Sequence, residues 1–279
     1  MQRLKRHLIL IFCILAVLSA NVQPATASST KPTTQLPRKV LCPTPPSIML
    51  HSADGVFGMQ WLVRTIEKHS LQTMTYRQVS DLWKRGLCPP ENTILVSLDD
   101  LGSNWLRKEF RDMIQVFTEK GLVLTLGLVT GTEKSPQNQV IWDYLRSLDA
   151  KGIEIASHSA RHSMLEKLNE KDLRLESEES YRVLCEQLKR CPVTFILPFG
   201  KSSENSNVMN VLKATYTNIV SIQAAKIYGN LPLLFKRIPL VKQENNPGEP
   251  KLGAPFFIQN QVIHPNTKLP KQPNGTEPQ

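Results

Sequence analysis

The sequence predicts an α/β fold, a distorted (β/α) barrel of about seven parallel strands. Short and almost continuous apolar runs recur through the middle of the chain, as they do in strands covered on both faces of a parallel sheet. Amphipathic stretches with helical period lie between these runs. Polar residues follow several of the runs, and the chemistry of such barrels collects at the carboxyl ends of the strands.

Seven segments have the length and composition of strands. They are SIMLH (47–51), TILVSL (93–98), LVLTLGLV (122–129), IEIAS (153–157), VTFIL (193–197), NIVSI (218–222) and LFKRIPL (234–240). Three of the segments between or beside them predict helices. These are 104–121 and 139–152, which both stop at a glycine, and 164–190, in which Asn169 is placed to start a second helical segment.

The two ends of the chain differ from this middle part. Residues 1–27 begin basic, continue with a short apolar run and finish with small residues, which predicts a secretory signal peptide; an uncleaved anchor is the alternative. Of 20 prolines, five lie in 28–46 and seven in 241–279. These ranges predict a Pro/Thr-rich linker and a polar, disordered tail. One domain, 47–240, lies between them.

The charge of the chain is modestly basic. The formal charge is +10, and removing Arg3, Lys5 and Arg6 with the signal leaves +7. A positive charge of this size favours association with an anionic cell wall or envelope over sequence-specific binding of nucleic acid. The alternative is that the charge serves only to keep the protein soluble. The sequence therefore predicts a secreted, periplasmic or envelope-associated protein, with no nucleic-acid partner and no membrane span after the signal. It leaves the oligomeric state open.

The cysteine content agrees with export. Four cysteines lie outside the signal, Cys42, Cys88, Cys185 and Cys191, and they allow three pairings. An exported chain favours disulfides over the alternative of four reduced, buried thiols. Closeness in sequence favours the pair Cys185–Cys191.

Two adjacent carboxylates, Asp99 and Asp100, end the second predicted strand. Like charges side by side raise each other's pKa, so solvent or a cation must offset their repulsion. His51 ends the first strand and His158 follows the fourth, on the same face of the predicted barrel. His162 comes four residues after His158, and this spacing places two imidazoles on one side of a helical turn.

Each feature has an ordinary alternative: a solvated strand end, a plain helix face or a core histidine. Their convergence on one barrel mouth favours a metal site. One carboxylate and two imidazoles make the open, three-ligand site of catalytic zinc, and the second carboxylate is placed to take a proton from the attacking water. Both aspartates address one site only if the strand stops there, and the segment 102–104 (Gly-Ser-Asn) predicts that stop.

These motifs resemble the polysaccharide deacetylases with a NodB homology domain, carbohydrate esterase family 4. SLDD (97–100) is similar to that family's T-F-D-D motif, and SHSARH (157–162) to its H-[ST]-x-x-x-H motif. FILPFGK (195–201) resembles the P-[YF]-G motif of the branch that includes poly-N-acetylglucosamine deacetylases. The resemblance covers roughly 47–240.

The chain also departs from the family pattern. Leu101 stands where the family usually has Gly, and Leu98 replaces Phe. Leucine or isoleucine occupies 196–197, the region where many members place an Arg that pairs with the base. No Asp-Trp motif is found near 218–228. These changes leave the metal and base motifs intact.

The resemblance implies roles for the residues at the mouth. Asp99 takes the place of the general base, and Asp100, His158 and His162 those of the ligands of a divalent metal, with Zn²⁺ first and Co²⁺ or Ni²⁺ as alternatives. The position of Phe199, after Pro198, is where a backbone N–H helps to hold the oxyanion.

In the same branch, the general-acid histidine lies in the first strand of a circularly permuted domain, and His51 matches that place. The strand with His51 would then neighbour the strand with Asp99, so that Cys42 and Cys88 meet beneath them.

The activity implied is metal-dependent hydrolysis of N-acetyl groups on an extracellular or cell-wall glycan, a polymer of N-acetylglucosamine type. Three other interpretations stay open: an O-acetyl esterase acting on xylan or a similar polymer, a non-catalytic glycan-binding member, and an exported metallohydrolase with an unrelated substrate. Leu101 and the missing Asp-Trp motif support the non-catalytic interpretation, whereas the intact ligands and base oppose it.

Overall fold

The computed structural model describes residues 42–51, 55–102, 108–131, 139–222 and 233–239. Within these ranges, nine strands form one parallel sheet that curls into a nearly closed barrel surrounded by helices. The predicted distorted (β/α) barrel is therefore confirmed. The predicted signal peptide, most of the linker and the tail lie outside the described residues and stay predictions.

All seven predicted strands occur; the last is split into two, and one short strand, β2, is added. The strands are β1 Ser47–Leu50, β2 Gln72–Met74, β3 Thr93–Leu101, β4 Thr125–Leu128, β5 Glu154–Ser157, β6 Thr194–Ile196, β7 Asn218–Ser221, β8 Leu233–Lys236 and β9 Ile238–Pro239. The helices are α1 Gly55–Lys68, α2 Tyr76–Lys84, α3 Lys108–Thr118, α4 Gln139–Ala150, α5 Glu170–Leu188 and α6 Ser206–Lys213. Single 3₁₀ turns lie at Leu165–Lys167 and Pro198–Gly200.

The last described segment closes the barrel. The order of strands is β8-β7-β6-β5-β4-β3-β1-β9, with β2 beside β3. The segment predicted as one strand is interrupted only at Arg237: β8 before it pairs with β7, and β9 after it pairs with β1. The same stretch of chain therefore joins both edges of the sheet. At the break, the Arg237 N–H donates to the Ser221 carbonyl.

The helices cover the outside of the sheet through their apolar faces. Met59, Leu62 and Ile66 of α1 are buried, and α1 packs beside α3. Asn169 caps α5 as predicted, because its side chain accepts a hydrogen bond from the N–H of Asp172. The sequence analysis did not identify α1, α2 or α6.

Helix α2 contacts the amino ends of β5 and β7, where the Arg77 backbone N–H donates to Glu154 and Asn218 donates to Ser80. Its first residue, Tyr76, is fully buried, and its hydroxyl lies 2.6 Å from Ser47 Oγ. The Tyr76 ring contacts the Phe235 ring, with centroids 4.9 Å apart. This end, the floor of the barrel, is therefore filled by side chains. The opposite end, at the carboxyl ends of the strands, is the mouth.

Two disulfides link parts of the chain. They join Cys42 to Cys88 and Cys185 to Cys191, which is the pairing that the sequence analysis favoured. The first ties the segment before β1 to the segment before β3, two strands that are neighbours in the sheet. A search of the described residues finds no helix with the length and apolar character needed to cross a membrane.

Candidate active site

The two adjacent aspartates face one site because the strand bulges. β3 runs through both aspartates to Leu101 and ends before Gly102, where the predicted break begins, but this end alone does not turn two adjacent carboxylates to one side. Leu98 pairs with Leu126 and Leu101 with Leu128, so β3 has one residue more than β4 over this stretch. Asp100 takes up the extra residue in a left-handed conformation, with φ of 62°. Such a backbone costs on the order of 1–3 kcal/mol outside glycine, and it occurs where a function requires it.

The two histidines lie on a loop, and the predicted helical turn is wrong. Loop 158–164 follows β5, and within it both Ser159 and His162 have left-handed backbones, with φ of 64° and 59°. The Ser159 hydroxyl accepts a hydrogen bond from the His162 N–H at 2.9 Å. The Ser159 carbonyl accepts one from Thr130, at the end of β4. The loop is thus fixed without helical hydrogen bonding between its two histidines.

His158 has one defined tautomer. It is 2 % exposed, and its Nδ1 lies 2.9 Å from the carbonyl oxygen of Ile196. Because a carbonyl only accepts, Nδ1 carries the proton and the lone pair of the neutral ring is on Nε2. This is the arrangement in which a backbone carbonyl orients a metal-binding imidazole.

Both imidazoles meet one carboxylate oxygen. Asp100 Oδ1 lies 3.2 Å from His158 Nε2 and 3.1 Å from His162 Nε2. The three ligand atoms all lie within 4.8 Å of one another. A lone pair that faces a carboxylate at this distance is repelled unless a proton or a cation lies between them. Two nitrogens and one oxygen converging in this way are the donor set of an open zinc site, so the residues fit a divalent metal.

The electrostatics agree with a cation-binding site. Burial opposes the ionisation of Asp100, but hydrogen bonds and positive charge from His158 and His162 in their protonated form outweigh it and hold the pKa of the Asp100 carboxyl well below its ordinary value; a bound cation would supply the same charge. Asp100 is therefore an anion at neutral pH, as a metal ligand must be.

The other aspartate, Asp99, faces the interior of the barrel and is 1 % exposed. Its Oδ2 lies 2.5 Å from a guanidinium nitrogen of Arg237 and 4.0 Å from His158 Nε2. Its Oδ1 is buried without a hydrogen-bond partner among the described residues, and a side chain on the nearby Gly127 would crowd it. Arg237 thus holds Oδ2, the oxygen that also lies near His158, and Oδ1 is buried beside Gly127.

The sequence analysis missed Arg237. It lies in the interruption between β8 and β9, is 1 % exposed, and also donates to Ser97 Oγ at 2.8 Å. Its guanidinium pairs with Asp99. Many members of the resembling family place an arginine for this pairing in the region that corresponds to 196–197, where this chain has isoleucine and leucine. The signal was present, because strand alternation puts Phe235 and Arg237 on the same inward face.

The remaining predicted residues lie at the rim of the same site. His51 follows β1 and is partly exposed, with Nε2 3.9 Å from Asp100 Oδ2. Phe199 is half-exposed and left-handed, and its ring lies 4.6 Å from that of His162. Pro198 is buried beside it. The structure thus brings all the predicted mouth residues to one place, and their catalytic roles stay predictions.

Comparison with known proteins agrees with the motifs. Residues 86–218 match the family model described as polysaccharide deacetylase, which confirms the resemblance predicted from the motifs. No curated protein sequence matches the chain.

Solved structures of low sequence identity share the fold. Deacetylase PplD of Streptococcus pyogenes, solved with acetate, is 15% identical with a TM-score of 0.56, over 70% of this chain and 92% of that one. IcaB from Ammonifex degensii is 14% identical with a TM-score of 0.54, over 74% and 95%. The BpsB deacetylase domain from Bordetella bronchiseptica is 14% identical with a TM-score of 0.52, over 70% and 95%.

Proposed function

We propose, from the polysaccharide deacetylase family that residues 86–218 match, that this protein is an exported, metal-dependent hydrolase that removes N-acetyl groups from a glycan of N-acetylglucosamine type. One observation carries the proposal. A buried carboxylate, Asp99, lies beside a convergent set of Asp100, His158 and His162 that fits a divalent cation. Two disulfides support an oxidising compartment outside the cytoplasm.

The metal ligands proposed are Asp100 Oδ1, His158 Nε2 and His162 Nε2. A divalent cation bound there, Zn²⁺ in the first place, supplies a Lewis acid that polarises the acetamide carbonyl and lowers the pKa of the attacking water. The protein's own contribution is the fixed geometry. His158 is oriented by the Ile196 carbonyl, and His162 by the hydroxyl of Ser159.

Asp99 is the proposed general base. Its carboxylate takes a proton from the water as the oxygen adds to the acetyl carbon, and Arg237 holds and orients Oδ2. Gly127 leaves room for the Asp99 carboxylate, since a Cβ at this position would lie 3.3 Å from Oδ1.

The rim supplies the remaining groups. The backbone N–H of Phe199 is proposed to donate to the developing oxyanion, a type of contact that contributes several kcal/mol to transition-state stabilisation. His51 is proposed to protonate the amine nitrogen as its bond to the acetyl carbon breaks. The net reaction consumes one water and releases acetate and a free amino sugar.

Acetate release tests the proposal directly. The protein is treated with a chelator, reloaded with Zn²⁺, Co²⁺ or Ni²⁺, and incubated with N-acetylglucosamine oligomers, peptidoglycan and O-acetylated xylan. We expect acetate from an N-acetylated substrate, lost with the chelator and restored by metal. Release from xylan alone would identify an O-acetyl esterase, and glycan binding without release would identify a non-catalytic member.

A further inference from the structure

Glu176 is a buried carboxylate outside the catalytic constellation. It lies on α5, and the residue is 2 % exposed. Burial of an ionised side chain is unfavourable unless hydrogen bonds and counter-charges compensate for it. Those partners come from one place, the loop that carries the two histidines of the proposed metal site.

Three groups of loop 158–164 bond to this one residue. Glu176 Oε2 accepts the N–H of Arg161 at 2.8 Å, and Oε1 accepts the hydroxyl of Ser163 at 2.6 Å. The backbone carbonyl of Glu176 accepts the N–H of Ala160 at 3.1 Å. Ala160 and Arg161 precede His162, and Ser163 follows it. Glu176 therefore bonds the loop on both sides of His162.

The loop needs such support because its backbone is strained. Ser159 and His162 both have φ near 60°, which residues other than glycine rarely adopt. Strained conformations persist where the surroundings over-determine them. The end of β4 bonds the loop from one side, at Thr130, and Glu176 bonds it from the other.

We infer that Glu176 is a positioning residue for the metal site: its carboxylate fixes the backbone that places His162 Nε2 opposite Asp100. The inference rests on the proposed function, since it takes Asp100, His158 and His162 as the ligands. Glu176 touches neither the ligand atoms nor the reacting groups. Partners that orient metal ligands typically change metal affinity by about 10- to 100-fold when they are removed.

The chain provides a matched control on the same helix. Glu179 bonds the guanidinium of Arg161 at 2.8 Å but accepts no hydrogen bond from the loop backbone. Replacing Glu179 with Gln removes a carboxylate of the same type from the same neighbourhood. It leaves both side-chain hydrogen bonds between Glu176 and the loop in place.

The test is Zn²⁺ affinity by competition with a chromophoric chelator, on wild type, Glu176→Gln, Glu179→Gln and His162→Ala. We expect the dissociation constant to rise by about 10- to 100-fold in Glu176→Gln and by less than about 3-fold in Glu179→Gln, with binding lost in His162→Ala. Wild-type affinity in Glu176→Gln, with His162→Ala deficient, would overturn this inference alone. Failure of the wild type to bind Zn²⁺ would overturn the proposed function itself.

A second readout separates positioning from general stability. The thermal midpoint of each variant is measured without metal and at one fixed, sub-saturating Zn²⁺ concentration. A merely structural role lowers both midpoints equally, which would contradict the inference. Positioning instead reduces the increment that Zn²⁺ adds at a fixed, sub-saturating concentration, because ligand stabilisation depends on affinity. Amide exchange at 160–163 should increase in Glu176→Gln even where the rest of the fold stays protected.

Discussion

Both ends of the barrel carry carboxylates, but the two ends differ in whether the fold supplies hydrogen-bond partners for them. At the floor, both carboxylate oxygens of Glu154 are occupied: Oε2 accepts from the Arg77 N–H and Thr125 Oγ1, and Oε1 from Thr194 Oγ1. At the mouth, Asp99 Oδ1 has no partner among the described residues, and Asp100 Oδ1 faces two imidazole nitrogens at once. The floor carboxylate is satisfied by the fold, whereas the mouth is arranged for something that the chain does not supply.

Backbone strain is concentrated at the mouth, and away from it Ser70 and Lys189 are left-handed near the ends of α1 and α5. Asp100, Ser159, His162 and Phe199 are left-handed at the mouth. The floor residues Glu154, Thr125 and Thr194 are regular strand residues. The strained residues of the mouth surround the proposed ligands, and pre-organisation of those ligands is the physical reason that fits. Substitutions at the mouth should therefore impair activity, and substitutions at the floor should impair stability.

The largest expected effect is on turnover at the mouth. Asp99→Asn removes the proposed base but preserves its shape, and a general base typically contributes about 10²- to 10⁴-fold. We expect kcat to fall within that range while the Zn²⁺ content stays at the wild-type level. Steady-state acetate release with metal analysis of the same sample checks this. Full activity in a metal-loaded Asp99→Asn protein would reject the assignment.

Arg237 connects the mouth to the closure of the barrel. Arg237→Met leaves Asp99 as an uncompensated buried charge, a change that typically costs about 3–5 kcal/mol of unfolding free energy. Because the penalty arises from the orphaned carboxylate, the double variant Asp99→Asn/Arg237→Met should be more stable than Arg237→Met alone. Urea denaturation of the three proteins measures this coupling. Strictly additive losses would show that the pair is not energetically linked.

The floor provides the contrasting case. Glu154→Gln keeps the size of the side chain but replaces an acceptor with a donor that faces Thr194 or Thr125, so we expect a loss of about 1–3 kcal/mol in stability. Acetate release per folded molecule should not change. Chemical denaturation and activity normalised to folded protein give the two quantities. A fall in normalised kcat comparable to that of Asp99→Asn would contradict the claim that floor substitutions impair stability rather than activity.

The smallest effect at neutral pH concerns Tyr76, also at the floor. Burial raises the pKa of Tyr76 from 10.0 to about 12. The unfolded chain loses this proton near pH 10 and the folded chain keeps it, so stability present below pH 10 is lost as the pH rises towards 12. The difference between wild type and Tyr76→Phe should change by about 1.4 kcal/mol per pH unit in this window. A pH-independent difference would contradict the burial of the phenol.

The sequence predicted the barrel and the mouth residues because both depend on local patterns. Nearly continuous apolar runs encode buried parallel strands, and Asp99 or His158 at the end of a run is brought to the mouth by topology alone. The disulfide Cys42–Cys88 followed from the neighbouring strands that the family resemblance implied.

What the sequence did not predict depends on contacts between distant segments. The left-handed conformation of Asp100 goes with the bulge in the pairing of β3 with β4. No pattern in the neighbouring residues of the sequence predicts this bulge. The four-residue spacing of His158 and His162 fits a helix, but Glu176 and Thr130 bond the loop into another shape. Arg237 meets Asp99 only because the barrel closes through β8 and β9.

The most direct test of a metal centre at the mouth is Zn²⁺ stoichiometry by equilibrium dialysis, on wild type and on His158→Ala, with circular dichroism to verify that both are folded. We expect about one Zn²⁺ per wild-type chain and none in the folded variant, because a three-ligand site does not survive loss of its buried imidazole. Equal Zn²⁺ uptake by the two proteins, or none by the wild type, would contradict it.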